Sequence, residues 1–189
     1  VTPHADRMTF DGKVRIDIDV LAPTSTIVLQ AANLTFGSST LAATTTDDNG
    51  NYALIAPANT GVFVRVQAQS RKTTTPARSI RVLNNTNSNA LYVLDGAAFN
   101  SGTTNQTKNL LAGSGWGGTS YTGTRSAAPF AILDTLLAAA EFVVANGNST
   151  LDLPGLDVFW SPQNNSSSGD VTLGQIESTS YTPASTGGP

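Results

Sequence analysis

The cleanest pattern in the chain is residues 13–20, where Val14, Ile16, Ile18 and Val20 alternate strictly with Lys13, Arg15, Asp17 and Asp19. A period of two places the apolar set on one face and the charged set on the other, which is a half-buried strand. Pro23 ends that run. Residues 26–30 supply a second strand rich in β-branched side chains, extended or followed by 33–36. Alternation returns over 61–69, with Val62, Val64 and Val66 on one face. Shorter strands are expected at 79–83 and 90–94, parted by the turn-rich stretch 84–89. Residues 41–46 and 51–56 flank Asn49-Gly50, two residues that tolerate positive φ, and so predict a tight hairpin. Short strands with turn signals roughly every 8 to 12 residues predict a mainly β fold, an antiparallel β-sandwich.

The pattern changes after Asp95. Residues 96–125 are rich in Gly, Ser, Thr and Asn and contain Gly113-Ser-Gly-Trp-Gly-Gly118, where regular structure is uncomfortable. One helix then follows, near 129–145. Pro129 suits its first turn, 130–144 holds no breaker, and Asn146-Gly147 can end it. Its faces are apolar nearly all round apart from Asp134, Thr135 and Glu141, which predicts a helix buried either inside this chain or against a partner. As fifteen residues it is too short to span a bilayer. Residues 156–160 read as another strand, 161–170 as a polar loop, and 171–181 as a last strand. The expected organisation is a β-sandwich module over 1–95, then a Gly/Ser-rich loop, the helix and added strands packed on it over 96–181, and a tail or linker over 182–189. An opening at Val1 with neither a signal peptide nor an apolar span is what a processed or excised fragment would give.

Composition narrows the function more than any motif does. The 189 residues carry a net charge of −3, only 12% are charged, and there is no cysteine. Disulfides and thiolate metal sites are therefore excluded. Nucleic-acid binding is disfavoured, because neutralising phosphates needs a clustered basic surface. Low charge with abundant Ser, Thr, Asn and Gly suits an exported protein, extracellular or on a cell surface.

His4 is the sole histidine, too little for a zinc hydrolase or a Ser/His or Cys/His centre. No His-Glu-x-x-His and no phosphate-cradling Gly-Lys-Ser/Thr loop occurs. Asp47, Asp48, Asn49 and Asn51 gather oxygen atoms in one short loop. Calcium wants six to eight of them, so a solvated turn is the main reading and calcium the lesser one. Trp116, Tyr121 and Trp160 could stack on sugar rings or form a protein-binding patch, or they could fill a core beneath the Gly-rich loop. Asp95, Asp134, Glu141, Asp152 and Asp157 are available carboxylates, but their spacing nominates no catalytic pair. Glycosylation sequons start at Asn33, Asn84, Asn105, Asn148, Asn164 and Asn165.

Resemblances to known families attach to two regions of the chain, one from residue 40 onward and one over 9–35. Thr44-Thr-Thr-Asp-Asp-Asn-Gly-Asn-Tyr-Ala-Leu-Ile-Ala-Pro57 resembles the hairpin of carboxypeptidase regulatory-like, or transthyretin-like, β-sandwich domains, which implies an accessory module of transthyretin/Ig-like architecture. Over roughly 40–181 the chain is similar to a group of large bacterial exported proteins. The carrying motifs are Val62-Phe-Val-Arg-Val66, Asn89-Ala-Leu-Tyr-Val-Leu-Asp95, Ser114-Gly-Trp-Gly-Gly118, Ala128-Pro-Phe-Ala-Ile-Leu-Asp134 and Val158-Phe-Trp-Ser-Pro162. In that group such a sandwich precedes a metallopeptidase segment whose zinc motif lies downstream, so no catalytic residue carries over here. Residues 9–35 also resemble the opening β-domain of the zinc aminopeptidase N family, without its Gly-Ala-Met-Glu-Asn or zinc motifs. A natural mosaic, a chance strand match and an imperfectly assembled sequence all fit this pair of resemblances.

The function these readings imply is a non-catalytic extracellular β-sandwich module, an accessory or pro-region of a larger exported peptidase-like protein, with no cofactor of its own and with a protein partner or self-association. The alternatives are a self-assembling cell-surface or fibre subunit and a glycan-binding module. A stand-alone enzyme, nucleic-acid binding and a membrane span are not expected.

Overall fold

A computed structural model of the chain describes residues 2–4, 9–11, 40–147 and 149–183. The expected strands at 13–20, 26–30 and 33–36, the sequons at Asn33 and Asn148, and residues 184–189 of the tail lie outside the described residues. The chain divides into two compact units, Val1–Ala43 and Thr44–Pro189. In the first, β1 (Thr2–His4) pairs antiparallel with β2 (Thr9–Asp11), in the register Pro3 opposite Phe10. His4, the sole histidine, thus lies in a paired strand, opposite Thr9.

The second unit is strand-rich with one helix, and its described residues form small sheets and no closed barrel. Its centre is β6 (Arg78–Asn84). On one side β6 pairs antiparallel with β5 (Gln69–Lys72) and with β7 (Ala90–Leu91); on the other it pairs in parallel with β10 (Leu156–Phe159). The alternating run 61–69 forms β3 (Gly61–Val62) and β4 (Arg65–Gln67), with Val62, Val64 and Val66 all half-buried as the period requires. These short strands pair antiparallel with β9 (Phe99–Asn100) and β8 (Val93–Asp95). Strand β9 carries no alternating signal long enough to be read from sequence.

Three backbone segments cross at one point. The Ala68 N–H donates to the Tyr92 carbonyl at 2.8 Å, Tyr92 N–H to Val82 at 3.1 Å, and Val82 N–H to Ala68 at 3.0 Å. Each segment uses the gap in one ladder to enter another, so the three close a ring of hydrogen bonds. Ala68 and Val82 are fully buried there, with Ile80 and Leu83 beside them. A larger side chain at Ala68 would hold the three strands apart.

The single helix of the described residues, α1 (Ala128–Asn146), begins with Pro129 in its first turn and ends at Gly147, whose N–H reaches the Val143 carbonyl at 2.8 Å. It lies on β6 and β5, and joins the chain between β6 and its parallel partner β10, the crossover a parallel pair requires. Of the two ways to bury it, burial inside this chain is corrected here. Pro129 alone is fully buried, and Phe130, Ile132, Leu133, Leu136, Leu137, Ala140 and Val144 are half-buried. The opposite side, with Ala131, Ala138, Ala139 and a 69% exposed Phe142, is open to solvent. Among the described residues, one sheet face covers one helix face and no second layer meets the other. The helix also runs nineteen residues, with a mean hydropathy of 1.7, so by length and composition alone it could cross a bilayer; the expectation that it is too short does not hold.

Two further expectations are corrected. Residues 41–46 and 51–56 form no strands. Between them the reversal is a three-residue loop, not a two-residue one. Gly50 N–H donates to Asp47 O at 2.9 Å, Asp47 N–H to Asn51 O at 3.0 Å, and only Gly50, at φ +77°, is left-handed. That is a turn closed by one glycine, as in a bulged hairpin end. Its outgoing arm is held instead by the Tyr52 hydroxyl, which donates to the Lys108 carbonyl at 2.5 Å. Over 171–181 the expected strand is replaced by a short 3-10 turn, Val171–Leu173, because the Asp170 carboxylate accepts from Thr172 N–H at 2.8 Å and curls the backbone.

Candidate functional site: an arginine between aromatic rings

The Gly-rich segment folds into a small hairpin of its own. Trp116 and Tyr121 form a β-bridge, Gly117 N–H donates to Ser120 O at 2.8 Å, and Thr122 N–H donates to Gly115 O at 3.0 Å. Gly115 sits at φ +74°, and a Cβ there would lie 2.5 Å from the Gly123 carbonyl oxygen, so the two legs approach too closely for any other residue. The glycines that made this stretch unreadable as helix or strand are what close the hairpin.

That hairpin brings the three candidate aromatics into one array. The Trp116 and Tyr121 rings meet edge to face, 5.2 Å apart at 76°. The Arg125 guanidinium stands 4.0 Å from the Tyr121 ring centre and 5.1 Å from that of Trp160. Trp160 in turn meets Tyr92 at 5.6 Å, and the Tyr92 hydroxyl donates to the Trp160 carbonyl at 3.1 Å. Burial pushes the Tyr92 phenol above its ordinary range. Trp116 and Tyr121 are each 54% exposed, whereas Trp160 is half-buried. Arg125 and Tyr92, which the sequence reading did not single out, are therefore the links of the array. A cation between two rings is a favourable use of an arginine. It also takes up a face of Tyr121 and of Trp160, so Trp116 offers the most open ring for stacking. Arg125 Nε is buried without a hydrogen-bond partner among the described residues.

The carboxylates are placed by the strands. Asp95 lies opposite Arg65 in the β4–β8 register and accepts from its Nε and Nη2 at 2.6 and 2.7 Å. That hydrogen-bonded pairing holds the Asp95 carboxyl below the usual range and raises Arg65. Asp157 lies opposite Arg81 in the β6–β10 register and accepts from it at 2.7 and 2.6 Å, which raises Arg81. Asp152 accepts from Ala77 N–H at 2.7 Å, tying the loop before β10 to the start of β6. Glu141 of α1 reaches Arg78 at 3.4 Å. Asp134 is exposed on the helix. Among the described residues there is no group of three His, Asp or Glu able to hold a metal.

In the Asp47 loop, Oδ1 accepts from the N–H groups of Asn49 and Asn51 at 2.9 and 2.8 Å, and Oδ2 accepts from Asn51 Nδ2 at 2.9 Å. These bonds, the Asn51 side chain first, hold the Asp47 carboxyl low. Three N–H donors thus converge on this one carboxylate and clamp the turn. Among the sequons, Asn84 accepts from Thr86 N–H and hydroxyl, and Asn164 accepts from the buried Asn85 amide at 2.8 Å. Asn165 bonds the Ser167 hydroxyl, while Asn105 is exposed. Comparison with family models, with curated proteins and with solved structures gives no match to this chain.

Proposed function

We propose that this chain is a non-catalytic, extracellular accessory module of carboxypeptidase regulatory-like β-sandwich type, serving a larger exported peptidase-like protein. The observation that carries this reading is the use made of its charged groups. Arg65–Asp95 and Arg81–Asp157 each join residues directly opposite in a strand register, and Asp152 fastens a loop to a strand start. Opposite charges in register stabilise one pairing and penalise a slip. Carboxylates committed in this way serve as scaffold, and catalysis would require freeing one of them from its partner.

The test uses the complete reading frame. Deleting this region from a frame that continues into a zinc-motif segment lowers the yield of folded, exported protein, while turnover per folded molecule is kept. A purified 189-residue chain that hydrolyses peptide or glycan substrates, and loses that activity when one of its carboxylates is replaced, contradicts the proposal.

Self-assembly is the second reading. It is favoured by the outer edge of β10, which has no strand partner among the described residues, and by the apolar side chains left open on α1, Phe142 and Val143 above all. A species that stays monomeric at high concentration in sizing chromatography argues against it. The glycan-binding reading has less support, because Arg125 already occupies faces of Tyr121 and Trp160.

A further inference from the structure

Strands β5 and β6 place two cations side by side. Lys72 lies directly opposite Arg78 in their register, on the face that carries Ile80 and meets α1. Like charges directly opposite each other destabilise a strand pair. Arg78 is largely withdrawn from water, its side chain 22% exposed, and is met by Glu141 at 3.4 Å and by the Ser70 hydroxyl at 3.2 Å. Lys72 is half-buried and makes no ion pair among the described residues. The nearby Asp152 carboxylate is turned to Ala77 N–H and Thr75. One positive charge is thus left over, partly desolvated, in a chain whose net charge is −3.

The surplus charge stands at a pocket of about 280 Å³ between the β5–β6 connection and the last turns of α1. Pro76, Ala77, Ala140, Val144, Ala145 and Leu153 give it an apolar lining, while Lys72, Arg78 and Glu141 supply its charged groups. An apolar hollow with a few convergent polar groups is the usual form of a small-ligand site. Its shape and charge ask for a short aliphatic tail ending in an anion. A planar carboxylate suits the unpaired ammonium and a neighbouring guanidinium, and four or five carbons suit the volume. We propose that this pocket binds an aliphatic carboxylate, either a free short-chain acid or the C-terminal aliphatic residue of a peptide. The carboxylate sits between Lys72 and Arg78, and the tail lies against Val144 and Leu153. The site is separate from the Trp116–Trp160 array and does not depend on the accessory-module reading.

The experiment is a titration of the isotope-labelled chain, followed by amide chemical shifts. The ligands are isocaproate, its uncharged amide, and a leucine-ended tripeptide with a free or an amidated C-terminus. The expected result is saturable shifts confined to the β5–β6 connection, the last two turns of α1 and the loop before β10. Isocaproate binds at least about tenfold more tightly than the amide, and Lys72→Met removes that preference while Lys72→Arg keeps it. The free-ended tripeptide binding more tightly than isocaproate identifies a peptide terminus as the source; the reverse identifies a free acid. Both variants change a partly exposed strand-end residue, and circular dichroism checks that each stays folded. Equal shifts from acid and amide, shifts that chloride reproduces, or a Lys72→Met variant that binds as the parent does would overturn the proposal.

Discussion

The crossing at Ala68, Val82 and Tyr92 and the turn at Asp47 both rest on short, well-formed hydrogen bonds, yet only the first organises the fold. At the crossing each bond joins residues far apart in the chain, and two of the three side chains are fully buried. At the turn every bond except that from Tyr52 joins residues within four positions, and the side chains are exposed. Local hydrogen bonds close a loop; burial against distant strands gives a segment its place. The comparison separates two signals of equal strength in sequence. Asn49-Gly50 marks a reversal of direction, whereas alternating Val and Ala mark a surface that something must cover.

The largest test of the contrast is at its buried end. Val82→Ala removes two methyl groups from the ring of strands and should cost about 2–3 kcal/mol. A lowered midpoint in denaturant with an unchanged slope is the expected record. Next comes the Gly-rich hairpin. Gly115→Ala forces a positive φ and a contact with the Gly123 carbonyl, and should cost about 1–2 kcal/mol. Its signature is local: the Tyr121–Arg125–Trp160 array comes apart, so Trp160 becomes more accessible to a collisional quencher, while the protection of β6 is kept.

A smaller effect is expected from acid. Asp47, Asp95 and Asp170 all have carboxyls held below the ordinary value of 3.8, through Asn51, Arg65 and Thr172 respectively. A depressed carboxyl favours the folded state above its unfolded value. Stability is therefore complete above about pH 4 and falls as the pH drops through the folded values. Melts recorded on either side of that value should show the loss, and melts with no change would detach these carboxylates from stability. The smallest effect should follow Arg81→Gln. It leaves β6 and β10 paired through their backbones and removes a half-exposed ion pair, with a loss that high salt abolishes.

Much of the sheet was legible in the residues. The half-buried valines of 61–69, the central strand at 79–83 and the final strand at 156–160 lie where alternation and β-branching place them. The helix was legible from Pro129 and an unbroken apolar run, but its exposure was not. Apolar character all round shows what a helix could bury, and only the number of neighbouring layers decides how much it does bury. The strands expected beside Asn49-Gly50 failed for the same reason, since a turn signal carries no information about what lies opposite the arms. Trp116, Tyr121 and Trp160 were singled out as a possible patch, and the fold does join them. Their link, Arg125, could have been noticed only as an unpaired cation following a Gly-rich loop. The parallel pairing of β6 with β10 could not be read at all, because period-two alternation is silent on strand direction.

Native-state hydrogen exchange reads both ends of the contrast in one experiment. The amides of Ala68, Val82 and Tyr92 should exchange only through global unfolding, with protection equal to the stability measured in denaturant. Across 41–56 the amides of Asp47, Asn49, Gly50 and Asn51 should show slight protection and their neighbours none. Protection of 41–46 and 51–56 equal to that of β6 would contradict the account, because those arms would then belong to the core that the crossing is said to define.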